Sequence, residues 1–295
     1  MSQDLENKLA LTLTQSDIYY DQLHNKNSPL YNIGGYICCG SVDVSRMQQA
    51  YRTLVSNHDA FGIRIISKNN DVYQFISNER DVTLPIIDFS HEDNPEQSAR
   101  VWIDNLFETP IEFENTQICK GFLLKINEQD FRYLGFAHHL AMDGWGFTNL
   151  SHCLADYYNS GSADEVVTGW NDVVLKDISY RESNRYQKDA EYWSSRFSNL
   201  PKAMLTPYYE GVYHSTEHVR SKRSRSYINR SLFNAIEQFC RSENASSAQY
   251  FLAILCVYFS RVTGHSNLSF GIPTHKRTDK LQKKCSAFLR ASIHF

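Results

Sequence analysis

The chain alternates segments with the two-residue hydrophobic period of strands and segments with the longer period of helices. Runs rich in β-branched and aromatic residues predict strands over residues 36–42, 61–67, 72–76, 118–126, 131–139, 219–227 and 268–273. Apolar residues three and four positions apart predict helices over residues 44–58, 95–109, 146–158, 231–241 and 248–263. The pattern therefore predicts a folded protein of mixed α/β class.

Local signals mark where several of these elements begin and end. Asp43 suits the N-cap of the helix over 44–58, and Asn94 with Pro95 suits the start of the next helix. Gly264 suits the left-handed position after the last helix, and residues 69–71 (Asn-Asn-Asp) predict a hairpin turn. Three helices have predicted buried faces, which are Val44, Met47, Tyr51, Leu54 and Val55; Val101, Trp102, Leu106 and Phe107; and Phe147, Leu150, Leu154 and Tyr157.

A charged and aromatic stretch in the middle of the chain separates two predicted lobes. Residues 1–180 form the expected N-terminal lobe, residues 181–215 an interlobe helix and linker, and residues 216–295 part of a second lobe. The aromatic residues of the middle stretch have the spacing of a packing face and are predicted to be core; they are Tyr186, Tyr192, Trp193 and Phe197.

Composition and charge narrow the partners that the chain can have. Hydrophobic residues make up 42% of the 295 positions, which is enough for a large core. The net charge of -3 gives no general attraction to nucleic acid or to an anionic membrane. The polar N-terminus lacks a secretory pattern, and no apolar run approaches the ~20 residues that span a bilayer. We therefore expect a cytoplasmic protein with no nucleic-acid or membrane partner.

Seven cysteines occur in the chain, an odd number that does not suit a disulfide framework. Cys38 and Cys39 lie in a strand-like run and Cys256 lies in an apolar helix, so they are predicted to be reduced core residues. No Cys-x-x-Cys pair is present, and a structural zinc site has little support.

Two histidines at the end of a predicted strand, His138 and His139, are the main candidates for chemistry. Successive strand side chains point to opposite faces, so one histidine can face a cavity and the other is structural. Asp143 follows closely enough to orient a histidine or brace the turn, and Gly144 permits a backbone conformation closed to other residues. The group suits general-base chemistry at neutral pH. Core or surface packing is one alternative, and a metal site is another, although adjacent strand histidines diverge.

The segment 138–144 matches the sequence signature His-His-x-x-x-Asp-Gly, and other segments agree with the same family in order and spacing. Those segments cover residues 11–15, 18–19, 31–33, 57–61, 189–193 and 271–277. Together they resemble the condensation domains of nonribosomal peptide synthetases over nearly the whole chain.

The resemblance implies the fold of chloramphenicol acetyltransferase, in which two similar α/β lobes enclose a tunnel. It implies that an acyl thioester reacts with an amine or aminoacyl acceptor to form an amide, in antibiotic or siderophore biosynthesis. The acyl donor is carried on the phosphopantetheine arm of a peptidyl or acyl carrier protein. That carrier is the implied partner, and no permanently bound cofactor is implied.

The resemblance also implies roles for individual residues. His139 faces the tunnel as general base or as the group that orients the amine, two roles that the family leaves disputed. His138 and Asp143 are structural, and Asp143 is paired with Arg277 across the lobes.

Three residues after Asp143 have implied roles towards the substrate. The backbone amide of Gly144 lies near the developing oxyanion. Trp145 and Gly146 belong to the substrate tunnel and bear on the type of donor.

The chain departs from the family pattern at several positions. Asn57 and Gly62 stand where the family has the two arginines of its Arg-His-Glu-x-Leu-Arg motif, and Arg290 stands where it has a tunnel asparagine. The chain ends at Phe295, where family members continue, so the second lobe is expected to be incomplete. Two other functions stay open: an acyl-CoA-dependent O- or N-acyltransferase of the same superfamily, and a non-catalytic domain that recruits carrier proteins.

Overall fold

Contacts between residues divide the chain into two units. The computed structural model describes residues 8–69, 71–161, 169–199, 224–274, 277 and 291–294. One unit comprises Met1–Gln187 and Pro273–Ser292, and the other comprises Lys188–Ile272 and Ile293–Phe295. The predicted limits of the two lobes and their linker stay a prediction. The contacts place Arg277, which the sequence reading put in the second lobe, in the first unit.

The first unit is built from short strands and helices that alternate along the chain. Its elements, of which the last continues into the second unit, are β1 (Leu9–Ala10), α1 (Leu13–His24), β2 (Asn32–Gly40), α2 (Val44–Asn57), a 3₁₀ turn (Asp59–Phe61), β3 (Ile63–Lys68), β4 (Asp71–Ile76), β5 (Ile86–Asp88), α3 (Pro95–Glu108), β6 (Cys119–Asn127), β7 (Asp130–His138), α4 (Gly144–Ser160), α5 (Trp170–Arg181) and α6 (Asn184–Arg196).

The larger sheet has the strand order β2-β7-β6-β5, and its strand β7 ends at the first of the two histidines. β7 lies antiparallel between β2 and β6, and β5 pairs parallel with β6. Alternate side chains of β6 and β7 pack against α2 and α4, and the intervening ones pack against α3. Burial on both faces fixes the register of β7 and therefore the position of its end.

A smaller sheet of order β1-β4-β3 packs with α1 and α5 around a second core. This core contains Tyr19 of α1, Ile63 of β3 and Trp170 of α5. Leu140 and Ala141, which follow the two histidines, are fully buried in the same core. The chain therefore passes from one core to the other directly after His139.

Besides most of α6, the described part of the second unit contains two helices and parts of two paired strands. The helices are α7 (Arg230–Ser242) and α8 (Ser247–Thr263), and the paired strands are β8 (Gly271–Thr274) and β9 (Ala291–His294). A capping box of Ser246 and Gln249 begins α8, and Gly264 ends it with φ of 70°. Among the residues that the structure describes, no helix is long and apolar enough to cross a membrane.

Most of the predicted elements are confirmed, with ends that move by a few residues. Asp43 caps α2 by accepting a hydrogen bond from the Arg46 backbone N–H, and Asn94 caps α3 in the same way. Asn69 has φ of 54° in the β3–β4 hairpin, and Gly264 is left-handed as predicted. Five strands and helices of the described part of the chain were not predicted: β1, β5 and β9 have only two, three and four residues, and α1 and α5 have weak apolar periodicity.

Several predictions of structure and burial are wrong. Val101 is 47% exposed, because it does not lie on the inner side of α3. That side is formed by Ala99, Trp102 and the apolar residues one helical turn after them. Residues 224–227 have no regular structure, and the rest of the predicted strand 219–227 lies outside the described residues.

The aromatic residues of α6 and two of the cysteines are also not core. No residue of α6 is buried, and Trp193 stacks on Phe197 with ring centroids 5.8 Å apart at the surface. Cys38 and Cys256 are exposed, because Cys38 lies on an outward position of β2 and no residue of α8 is buried. The six cysteines that the structure describes are free thiols, as predicted.

An arginine from another loop holds the C-terminal end of α2. Nη1 of Arg80 donates to the backbone carbonyl oxygens of Val55 (2.9 Å), Ser56 (3.0 Å) and His58 (3.1 Å). Carbonyls at a helix C-terminus lack intrahelical donors, so the guanidinium stabilises them. A Cβ atom at Gly62 would lie 2.9 Å from Nε of Arg80. Arg80 thus puts a guanidinium beside the position where the resemblance expected an arginine side chain.

His58 lies next to this arginine and is fully buried. Its Nε2 atom is 3.5 Å from the hydroxyl of Tyr157 in α4. Burial, with a smaller effect of the Arg80 charge, lowers the pKa of His58 to about 4. The ring is therefore neutral in the folded chain at neutral pH.

We expect His58→Gln to reduce the loss of stability on acidification. The pKa of about 4 in the folded chain lies below the ordinary value, so the unfolded state binds the proton more tightly and stability falls as the pH falls between about 6.5 and 4. One such group contributes a slope of about 1 kcal/mol per pH unit. Urea unfolding at about pH 5 and about pH 7 measures it. If the free energy of unfolding changed between the two pH values by the same amount in the variant and in the unchanged chain, this account would be contradicted.

Three glycines lie side by side at the centre of the larger sheet, because the register pairs Gly35 with Gly135 and Gly135 with Gly121. The ring of Phe147 packs on Gly135, and a Cβ at that position would collide with it. A Cβ at Gly34 would collide with the carbonyl oxygen of Gly135, whereas a Cβ at Gly35 would meet nothing within 4 Å. Close approach of β2 and β7 therefore requires glycine at position 34 but not at position 35.

Gly34→Ala and Gly35→Ala form a matched pair that tests this approach. We expect Gly34→Ala to lower the free energy of unfolding by about 2 kcal/mol or more, because the strand backbones must separate. Gly35→Ala is expected to leave stability unchanged or raise it by up to about 1 kcal/mol. Denaturant unfolding of the two variants checks this, and equal stability losses would count against the predicted collision.

Candidate active site

The candidate site is the connection between strand β7 and helix α4. β7 ends at His138, and α4 begins at Gly144. The backbone N–H of His138 donates to the carbonyl of Ile118 (2.8 Å), and that of His139 donates to the carbonyl of Tyr31 (2.8 Å). The last residue of β7 and the residue after it are thus hydrogen-bonded to the chain on either side, and the two histidines begin from a fixed backbone.

His138 is buried between aromatic rings and held by hydrogen bonds on both ring nitrogens. The rings of Tyr31 and Phe113 lie 6.0 Å and 5.3 Å from it. Its Nδ1 accepts from the Leu140 backbone N–H at 3.1 Å, so Nε2 carries the proton and donates to Oε1 of Gln22 at 3.3 Å. Burial, with the neighbouring His139, lowers the pKa of His138 to about 3. These contacts give a neutral histidine in a single tautomer.

His139 is only partly buried and has the opposite tautomer. Its Nδ1 atom lies 2.8 Å from the carbonyl oxygen of Met142. A carbonyl oxygen only accepts hydrogen bonds, so Nδ1 carries the proton and Nε2 is the basic nitrogen of the neutral ring. The loop therefore fixes both the ring orientation and which nitrogen can take up a proton.

Asp143 is a buried carboxylate that begins helix α4 and binds an arginine. Its Oδ1 accepts from the Gly146 backbone N–H at 2.8 Å, as the N-cap of α4. Nη1 and Nη2 of Arg277 donate to the two carboxylate oxygens at 2.7 Å and 3.0 Å. Both side chains are buried and lie in the first unit. The structure thus brings Asp143 and Arg277 together and directs the carboxylate to the turn rather than leaving it to solvent.

Gly144 does not have the unusual backbone conformation that the sequence suggested. It is the first residue of α4, and its φ is not positive, because the chain enters the helix immediately after the Asp143 cap. A Cβ at Gly144 would meet no atom within 4 Å, so the missing side chain leaves open space beside the loop. The backbone N–H groups in the first turn of a helix lack intrahelical acceptors and carry partial positive charge.

The two residues after Gly144 differ in exposure. Trp145 is 44% exposed on the first turn of α4, and Gly146 is buried with its N–H bound to Asp143. Gly146 therefore supports the loop, and Trp145 lies at its surface. Their placement in a substrate tunnel stays a prediction.

A small cavity lies between the larger sheet and α4, and Met142 is one of the residues that line it. Its volume of about 10 Å³ suffices for about one water molecule. Residues from both layers line it, including Ile33, Tyr133, Gly135, Met142, Phe147 and Leu150. The side chain of Met142, whose carbonyl holds His139, therefore packs between the larger sheet and α4.

No group of three metal-ligating side chains occurs among the residues that the structure describes. Arg290 and its motif lie outside those residues. Sequence reasoning did not identify the glutamine that holds His138. Gln22 is in a helix that was not predicted, and its distance of 116 residues from His138 gives no local signal.

The sequence of the chain was compared with known proteins and matches one family and several curated relatives. A family profile described as "Condensation domain" matches residues 5–288. The chain is 25% identical over 276 residues to a dimodular nonribosomal peptide synthase and 23% identical over 283 residues to surfactin synthase subunit 1, both of Bacillus subtilis (strain 168). These matches cover 90% and 93% of this chain but 11% and 8% of those proteins. The chain spans about a tenth of the length of these relatives.

Solved structures give the same fold. The first condensation domain of the CDA synthetase matches with a TM-score of 0.79 at 20% identity, over 97% of this chain and 70% of that chain. A variant of the starter condensation domain of rhizomide synthetase, in complex with C8-CoA, matches with a TM-score of 0.82 at 19% identity, over 98% of this chain and 66% of that chain. The fold that the sequence predicted is therefore confirmed. Because the family profile extends over nearly all of the sequence that carries this fold, the chain belongs to the condensation domain family of nonribosomal peptide synthetases.

Proposed function

We propose that this chain catalyses amide bond formation between an acyl thioester on a carrier protein and an amine acceptor. The observation that carries the proposal is the tautomer of His139. The carbonyl of Met142 holds its Nδ1–H, and Nε2 is the basic nitrogen of a ring on a rigid strand end. A neutral imidazole in a defined orientation is suited to accept a proton from an attacking amine.

In the proposed reaction, the amine nitrogen attacks the thioester carbonyl carbon and forms a carbon–nitrogen bond. His139 takes up the amine proton at Nε2, or orients the amine by accepting its hydrogen bond. The carbonyl oxygen becomes negatively charged, and the backbone N–H of Gly144 at the start of α4 stabilises it. The carbon–sulfur bond then breaks, the amide carbonyl re-forms, and the proton passes to the leaving sulfur as a thiol.

Asp143 and Arg277 support this chemistry without reacting. Their buried ion pair fixes the first turn of α4 and the end of the loop that carries His139. A shift of about 1 Å in such a loop costs a factor of about 100 in rate. We therefore assign them a positioning role, and we assign His138 the same role because its two ring nitrogens are both bound within the fold.

The proposed partner is a peptidyl or acyl carrier protein, whose phosphopantetheine arm presents the donor. The curated relatives are synthases of peptides and lipopeptides, among them enterobactin synthase component F of Escherichia coli (strain K12) at 23% identity. The proposed product therefore belongs to peptide biosynthesis of the antibiotic or siderophore kind. Trp145, exposed beside the loop, is proposed to contact the donor, and the buried Gly146 is proposed to support this part of the substrate tunnel through its N–H bond to Asp143.

One observation favours acyl-CoA as a second donor class. The solved starter domain with a TM-score of 0.82 to this chain is in complex with C8-CoA. Coenzyme A contains the same phosphopantetheine thiol as a loaded carrier, so the reacting atoms are the same. An acyltransferase that uses acyl-CoA directly is thus the alternative function, and the two donors are compared in the same assay.

The test is mass-spectrometric detection of amide from the purified chain with a panel of acyl-loaded carrier proteins, acyl-CoA and several amines. Amide from the carrier-bound donors supports the proposal. Product from acyl-CoA alone would instead support the alternative. Carrier binding with no product from any donor would leave recruitment of carrier proteins as the function and would contradict catalysis.

His139→Ala is expected to lower the rate of amide formation by a factor of about 10² to 10⁴, because the only group assigned to accept the amine proton is removed. His152→Ala is the matched control, since His152 is an exposed histidine on α4. The rates of both variants are measured by product formation at saturating donor. A His139→Ala chain as active as the His152→Ala chain would rule out the proposed role.

We expect Asp143→Asn and Arg277→Met each to lower the free energy of unfolding. The double variant is expected to lose less than the sum of the two single losses. Each single substitution leaves a buried charge without its partner, which costs about 3 to 5 kcal/mol, and the double variant removes both charges. Urea unfolding of the two single variants and the double variant gives the coupling free energy. Additive losses would show that the ion pair does not stabilise the site.

A further inference from the structure

We infer that helix α1 positions the catalytic loop through two glutamines, Gln15 and Gln22, each of which binds the segment that follows β7. This inference rests on the proposed function, since it concerns the placement of His139. Gln15 and Gln22 are seven residues apart, which is two turns of the helix, so they lie on one face. Both are buried, although α1 has the polar composition of a surface helix.

Gln22 holds the structural histidine. Its Oε1 accepts the Nε2–H of His138 at 3.3 Å. Its Nε2 donates to the carbonyl oxygens of Asn25 (2.7 Å) and Ser28 (3.1 Å), which fixes the orientation of the amide. Because the oxygen must point at His138, the histidine donates through Nε2 and its Nδ1 accepts from Leu140. Gln22 therefore selects the tautomer that anchors the first residue after His139.

Gln15 holds the next carbonyl of the loop. Its Nε2 donates to the carbonyl oxygen of Leu140 at 3.0 Å and to Oε1 of Gln74 at 3.0 Å. Its Oε1 accepts from Nε2 of Gln74 at 2.8 Å and from the Thr12 backbone N–H at 3.0 Å. The two side-chain amides thus form a reciprocal pair in the core, and both N–H bonds of Gln15 are used.

Trp170 of α5 and β1 complete the network around Gln74. The indole Nε1–H of Trp170 donates to Oε1 of Gln74 at 2.8 Å, and Nε2 of Gln74 donates to the carbonyl of Ala10 at 3.0 Å. Gln15, Gln74 and Trp170 are each exposed by 1% or less. Buried amides that satisfy all their hydrogen bonds keep one orientation, because any other orientation leaves a polar group unpaired. The network is therefore a rigid support for the Leu140 carbonyl.

The contacts of the two glutamines lie on both sides of His139. Gln22 binds His138, the residue before it, and Gln15 binds Leu140, the residue after it. A catalytic group has to be held to within about 0.5 Å by packing and supporting hydrogen bonds, and the two glutamines add such hydrogen bonds to the apolar packing of Leu140. Both glutamines are positioning residues, since neither is assigned a contact with the reacting atoms.

The test combines kinetics with the imidazole signals of the histidines. Gln15→Met and Gln22→Met keep side-chain length and remove the hydrogen bonds, and Gln48→Met, on the exposed side of α2, is the control. We expect kcat to fall by about 10- to 100-fold in the first two variants with KM unchanged. Nitrogen-15 spectra of the imidazoles should show changed signals for His138 and His139 in those two variants and unchanged signals in the control.

The spectra also separate this inference from the proposed function. In the unchanged chain we expect His138 with a proton on Nε2 only and His139 with a proton on Nδ1, whether or not any amide is formed. An unchanged chain that makes no product but has these tautomers, with the expected changes in the variants, would contradict the proposed function and leave the positioning inference supported. The opposite tautomer of His138 in the unchanged chain overturns the inference, and this arm needs no variant to fold. Folded glutamine variants with unchanged signals and unchanged kcat overturn it as well.

Discussion

The buried ion pair of Asp143 and Arg277 is the interaction on which the arrangement of the site depends. Each charge would be costly in this environment without the other, by several kcal/mol. Paired, they share two hydrogen bonds, and the Asp143 carboxylate also begins helix α4. The loop after β7 begins at a strand that is buried on both faces. It ends at Asp143, and a movement of this residue away from Arg277 would leave a buried charge without its partner. His139, the proposed catalytic histidine, lies between these two fixed ends.

Two hydrophobic cores meet at this loop, because the residues before it pack in one core and residues within it pack in the other. The strand side chains before His138 pack on α2, α3 and α4, and Leu140 and Ala141 pack in the core of the smaller sheet. His139 lies between the two cores and stays partly exposed. The ring of His138, Nδ1 of His139, the Leu140 carbonyl and the Asp143 carboxylate each have hydrogen-bond partners within the fold, which favours a site that keeps its geometry before a substrate arrives. Such preorganisation is what general-base chemistry requires.

The sequence predicted the parts of this arrangement that depend on local pattern or on a contiguous motif. The end of β7, the cap Asp43 and the left-handed Gly264 follow from spacing and residue type and are observed. The signature segment 138–144 led to the family, and the resemblance anticipated the contact of Asp143 with Arg277. Gly144 was assigned an unusual conformation because a glycine alone does not tell whether it supplies a backbone angle or open space.

The supports of the site could not be predicted, because they join residues far apart in the chain. Gln15 and Gln22 lie in a helix whose apolar periodicity is weak, and only the fold turns them towards a loop more than 100 residues away. The position of Arg80 beside Gly62 could not be predicted either. Gly62 has no side chain, and the side chain of Arg80 from another loop occupies the space next to it. The periodicity of a sequence indicates which face of an element is apolar. It does not indicate which polar side chains are buried with hydrogen-bond partners.

The most direct test of the account is a structure of the chain with a stable analogue that joins an acyl-pantetheine thioether to an amine. The account predicts that the amine nitrogen lies about 3 Å from Nε2 of His139 and that the oxygen of the acyl carbonyl points to the Gly144 N–H. An analogue bound with its amine away from His139, in a chain whose loop is otherwise unchanged, would contradict the assignment of this loop as the site of amide formation.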